Sequence, residues 1–117
     1  MKNLSKFLIK EFTEESSKKS IKFFRSSGAH GYIIWLIIIS HFLDKKKLSI
    51  ENIIETSSIF ASRRTIVDFI NKGSENGFLI KQASDDDKRK VLILPTDITI
   101  NEYEEWANYF ISNINKK

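Results

Sequence analysis

The stretch SRRTIVDFINKGSENGFLI, Ser62 to Ile80, changes its period midway. In its first half Ile66, Phe69 and Ile70 recur at i, i+3 and i+4, the spacing of one helix face, and Arg63, Arg64 and Lys72 fall on other faces. Ser62 stands just before this run, where a hydroxyl can accept from the unpaired N–H groups of a first turn. Gly77 is expected to stop the helix. Phe78 to Gln82 then reads as a short β-prone run, and Val91 to Leu94 as a second, with the charged stretch SDDDKRK between them. Two such runs around a polar loop predict a hairpin with a long tip. Pro95 has no N–H to give, so it ends the second strand.

Upstream, Ser49 lies three residues before Asn52 and predicts the N-cap of a short helix with Ile50, Ile53 and Ile54 on one face, ending near Ser57 and Ser58. Before it, YIIWLIIISHFL, Tyr32 to Leu43, runs for about a dozen apolar residues against the roughly 20 that cross a bilayer, so a buried core helix is the reading. The lysines of Asp44 to Lys47 suit its C-terminus. At the start of the chain Leu4, Phe7, Leu8 and Phe12 keep helical spacing. A second piece around Ile21, Phe23 and Phe24 follows the polar Thr13 to Ser20, and the pattern leaves open whether this is one helix or two. Downstream of Pro95, residues Tyr103, Trp106, Ala107, Phe110, Ile111 and Ile114 make one broad apolar face of a closing helix.

A chain of 117 residues, 41% of them hydrophobic, suffices for one core and predicts a single domain. With no cysteine there are no disulfides, thiolate metal sites or cysteine nucleophile, and a reducing, cytoplasmic setting is the simplest assumption. Lys alternating with Leu, Phe and Ile over Met1 to Lys10 gives no export signal. The net charge of +4 is unevenly spread: residues 1–25 hold seven bases against three acids, residues 62–90 seven against five, and residues 97–115 no base against four acids. Such asymmetry fits one surface that faces an anionic partner.

Catalysis finds no marked constellation: no glycine-rich phosphate loop, no His-carboxylate helical motif and no nucleophile elbow. The two histidines, His30 and His41, have no strong ligand at i+3 or i+4, so neither a metal nor a cofactor is expected. The basic residues are better placed for phosphates and base edges. Ser62, Arg63, Arg64 and Thr65 put donors at a helix N-terminus, where the dipole also favours an anion. Lys88, Arg89 and Lys90 add a second basic element on the hairpin. Asp87 is expected to hold Arg89, with Asp85 and Asp86 turned to solvent. Strand alternation, if it extends that far, sets Lys88 and Lys90 opposite Arg89. Asp68 is unfavourable beside phosphates unless it pairs with Arg64 or reads a cytosine amino group.

Helix, short helix, helix, hairpin, helix is the order of a winged helix-turn-helix, an α+β fold that is mainly α. The local residues resemble the MarR family of transcriptional regulators. Ser62-Arg63-Arg64-Thr65-Ile66, followed by Gly77-Phe78-Leu79-Ile80, is similar to that family's recognition helix and first wing strand. Asp87-Lys88-Arg89, Val91 to Leu94 and Thr96 are similar to its wing.

The resemblance implies a homodimer on double-stranded DNA, with the helix in the major groove and the wing in the minor groove. Ser62, Arg63, Arg64, Thr65, Lys88, Arg89 and Lys90 then contact DNA, with Asp87 as wing support. Dimerisation falls to Leu4, Phe7, Leu8, Tyr103, Trp106, Phe110, Ile111 and Ile114. Residues 1–117 form one winged-helix domain, with dimerisation helices over about 1–27 and 97–117 and a DNA-binding lobe over about 32–96. A small-molecule effector is left open, and no membrane is implied. Gly73 replaces a usual leucine and is expected to remove a core contact and let the helix end early. Fold does not fix function, so the alternative is a winged-helix module that binds protein without specific DNA binding.

Overall fold

The computed structural model describes residues 2–14 and 16–115. Six helices and one hairpin follow in the order α1 (Lys2–Thr13), α2 (Lys19–Ser26), α3 (Ala29–Leu43), α4 (Ile50–Ser57), α5 (Arg63–Glu75), β1 (Leu79–Ala83), β2 (Val91–Pro95) and α6 (Asp97–Ile114). The N-terminal apolar pattern is therefore two helices. The chain leaves α1 at Thr13, whose hydroxyl donates to the carbonyl of Ile9, and Lys18 is extended at the cap of α2.

The central helix α3 starts at Ala29, earlier than the Tyr32 that the apolar run suggested, with Gly28 at φ +97° as its cap. Gly31 lies inside it for a packing reason: a Cβ there would stand 2.2 Å from the carbonyl oxygen of Phe24, so α2 and α3 can cross this closely only without a side chain. Ile34, Trp35, Ile38 and Ile39 of α3 join Phe24, Ile53, Ile66, Ile70 and Ile93 in one buried cluster. Burying apolar surface on this scale, at roughly 25 cal/mol per Å2, is the main force holding α3 between the terminal helices and the α4–α5 pair.

The expectation that Gly73 shortens α5 is corrected by the structure. The helix runs on to Glu75, and Gly73 is where the helix lets β1 in: a Cβ would meet Leu79 Cδ1 at 2.8 Å and Phe23 Cε2 at 3.3 Å. Leu79 supplies from the strand the packing that a leucine on the helix would have given. Termination falls instead to Gly77 at φ +82°, with Phe78 N–H donating to Gly73 O at 2.8 Å and Gly77 N–H to Ser74 O at 3.2 Å. These two bonds satisfy the last carbonyls of the helix.

The hairpin pairs Leu79 with Pro95, Lys81 with Ile93 and Ala83 with Val91. A one-residue bridge of Ser49 to Leu92, with Ile93 N–H donating to Leu48 O at 2.9 Å, adds a third rung just before α4. Ser49 also completes a reciprocal cap with Asn52, at 3.2 Å in each direction. The start of α6 is latched to the end of α5, since Thr96 Oγ1 donates to Gly77 O and the buried Thr99 Oγ1 to Phe78 O, both at 2.7 Å. Recognition helix, wing and closing helix are thus fixed to one another through a single turn.

Candidate nucleic-acid interface

Ser62 caps α5 as its position promised: its Oγ accepts from Thr65 N–H at 3.2 Å and donates to Thr65 Oγ1 at 3.0 Å. The two adjacent arginines then part. Arg63 reaches back to α4 and grips Glu51 with two bonds, 2.9 Å to Oε1 and 2.6 Å to Oε2. That hydrogen bonding holds the Glu51 carboxyl below the usual carboxylate range and raises the Arg63 guanidinium further above neutrality. Arg64 is exposed, and its side chain makes no hydrogen bond or ion pair among the described residues. Asp68 is exposed one turn further on and forms no pair with Arg64. With Ile66, Phe69 and Ile70 buried on the inner face, Arg64 is the uncommitted cation of the first turn.

At the hairpin the ladder closes with Ser84 N–H donating to Lys90 O at 3.0 Å, and a tight turn follows in which Lys90 N–H donates to Asp87 O at 2.9 Å. The alternation expected for residues 88–90 is corrected here, because these residues form the turn and the strand begins only at Val91. Asp87 Oδ1 accepts from the backbone N–H of Arg89 at 3.0 Å and from its Nε at 3.3 Å. Both bonds favour the ionised acid, the backbone one most, and hold the Asp87 carboxyl below its ordinary range. The Arg89 side chain remains 92% exposed. Asp86 does more than face solvent: it pairs with Lys47 at 2.9 Å, tying the wing to the linker before α4. Lys88 and Lys90 are exposed, and their ammonium groups make no hydrogen bond among the described residues.

Sequence reasoning missed the contacts that orient these elements. Lys81 Nζ donates to Asn71 Oδ1 at 2.7 Å, from β1 to α5. Glu51 and Arg63 sit on separate helices, and Lys47 and Asp86 are further apart still in the chain. No local spacing marks such pairs.

The eight residues assigned to dimerisation divide. Phe7 is only 6% exposed, packed edge-on against Phe110 at 4.7 Å, and Trp106 stacks on Trp35 of the central helix at 5.2 Å between centroids. Trp106 Nε1 donates to Glu11 Oε2, which also accepts from Arg25 Nη1, each at 2.9 Å. Leu4, Tyr103, Phe110 and Ile114 are half-buried, whereas Leu8 and Ile111 are exposed. Ile9, Phe12 and Tyr109, which were not assigned, add exposed apolar surface to the same two helices.

No protein-family model and no curated protein matches the sequence. Solved structures do match the fold. The heme sensor protein PefR from Streptococcus agalactiae, in complex with heme, is 18% identical and superposes with a TM-score of 0.59 over 97% of this chain and 69% of its own. S. aureus MepR bound to ethidium bromide is 13% identical with a TM-score of 0.57 over 95% and 80%. Bordetella bronchiseptica BpsR, whose DNA binding is regulated by 6-hydroxynicotinic acid, is 12% identical with a TM-score of 0.53 over 99% and 82%. At these identities the likeness is one of fold: a winged helix with a two-stranded wing and flanking helices.

Proposed function

We propose that this chain is a DNA-binding transcriptional regulator of the MarR type, acting as a homodimer on duplex DNA in the cytoplasm and catalysing no reaction. The observation that carries this reading is the pair of separated basic elements on one winged helix: the free Arg64 in the first turn of α5, and the turn carrying Lys88, Arg89 and Lys90. One element suits a major groove and base edges, and the other suits the adjacent minor groove and its phosphates. Arg63 has the lesser role, since base reading requires it to leave Glu51. In the proposed division, residues 32–96 are the DNA-binding lobe and the terminal helices provide the dimer contact. The exposed Leu8, Ile9, Phe12 and Ile111 support a second copy on α1 and α6. Among the described residues no helix is long and apolar enough to cross a membrane.

Selection of bound sequences from a random duplex pool tests this reading, because it reports binding, preference and half-site symmetry together. A two-fold symmetric motif is the expected result. One observation favours the protein-binding alternative: Ile59, at the turn between α4 and α5, is 83% exposed, with the exposed Phe60 beside it. A protein-interaction module should give no enriched motif and no steep salt dependence on heparin.

A further inference from the structure

A groove of about 540 Å3 opens between the end of α3, the linker 44–48 and the outer face of the hairpin. Its floor follows from strand geometry. Ile93 turns into the core, so its neighbours Leu92 and Leu94 face the other way and line the groove. Phe42 and the 52% exposed Leu43 complete an apolar wall that nothing among the described residues covers. The mouth is cationic: Lys45, Lys46 and Lys47 stand against Asp85, and Lys47 is clamped to Asp86 of the wing at 2.9 Å.

A backbone observation independently marks the same mouth. Lys45 has φ 57°, with its N–H donating to Phe42 O and that of Lys46 to His41 O. This is the helix-ending position where glycine avoids the clash of Cβ with the carbonyl, yet the chain holds a lysine there. Strain kept at a charged residue beside a cavity points to a ligand.

We propose that this groove binds a small monocarboxylate with an apolar body, whose carboxylate engages Lys45 and Lys46 and competes with Asp86 for Lys47. Apolar burial supplies the affinity, and the three ammonium groups, against two carboxylates, select the charge and orient the ligand. Occupancy exchanges the clamp between linker and wing for a pair between linker and ligand. The site stands on the fold alone, so its test is independent of DNA binding.

Titration calorimetry of the full chain with decanoate, 2-naphthoate and decylammonium decides it. At least one carboxylate should bind saturably at one site, and decylammonium at least tenfold more weakly. The stronger of the two acids tells whether the body is acyl or aryl. Lys45→Gly should keep or raise the thermal midpoint, because glycine suits φ 57°, and should weaken the carboxylate at least threefold. Asp86→Asn should tighten it by removing the competitor for Lys47. The proposal is overturned by equal binding of the amine, by multi-site uptake, by no carboxylate binding, or by either variant leaving the affinity unchanged.

Discussion

Arg63 and Glu51 form a two-point fork between α5 and α4, at 2.9 and 2.6 Å, and this contact gives two adjacent arginines different futures. A guanidinium bound to a carboxylate must break that pair before it reads a base, whereas Arg64 need break nothing. Arg64→Ala should therefore cost about 1–3 kcal/mol on the preferred duplex and relax preference at one base position. Arg63→Ala should cost less DNA affinity and, as an exposed pair, less than about 1 kcal/mol of stability. Equal losses of sequence preference in quantitative duplex binding would reject the assignment.

The wing tip gives an asymmetric expectation. A guanidinium sheds water more readily than an ammonium and suits the narrow minor groove of A·T-rich DNA. Arg89→Ala should weaken binding most on duplexes with A·T-rich flanks, and Arg89→Lys should restore charge without restoring that preference. Lys88→Ala and Lys90→Ala should weaken all duplexes alike, each lowering the salt slope by about one unit at most. If Arg89→Ala behaves identically across flanks, the tip is a generic phosphate clamp or a solvated turn.

Sedimentation should separate the two roles of the terminal helices. Ile9→Glu and Ile111→Glu place charge on exposed apolar positions and should turn a dimer into a folded monomer. Trp106→Ala should instead lower stability by about 3 kcal/mol or more, because the ring packs on Trp35 within its own chain. A wild-type chain that is monomeric at micromolar concentration removes the dimer from the proposal.

Burial, reinforced by the Glu11 carboxylate, raises the Tyr32 phenol to about 12 from its ordinary 10.0. The folded state thus favours the neutral ring. Its contribution to stability is whole below pH 10 and is lost as pH rises through about 12, since the unfolded chain releases the proton first. Denaturant titrations across that window should show a steeper loss for the wild type than for Tyr32→Phe. Parallel curves would mean that the phenol is not held neutral.

Gly31→Ala tests the crossing of α2 and α3. Alanine gains about 1 kcal/mol of helix propensity, but its methyl must displace the Phe24 carbonyl from 2.2 Å. Backbone displacement in a packed core costs about 1–3 kcal/mol or more, so the net change should be a lower thermal midpoint. A raised midpoint would show that the helices can slide apart at no cost.

The local grammar of the chain was enough for its elements. Caps at Ser49 and Ser62, the helix stop at Gly77, the i, i+3, i+4 stripe of Ile66, Phe69 and Ile70, and the paired β-prone runs each depend on interactions within a few residues, so their spacing in the sequence carries them. The winged-helix order follows from those elements in sequence. Tertiary structure alone decided which charges are free. Arg63 and Arg64 are indistinguishable as neighbours, and only the position of α4 puts Glu51 beside one of them. Gly73 reads as a helix fault until Leu79 is seen filling the space, and Trp106 reads as an outer-face residue until Trp35 and Glu11 are brought against it. These outcomes turn on contacts between residues far apart in the chain, whose distances are fixed by how whole helices pack, and pattern within a window of a few residues holds no record of them.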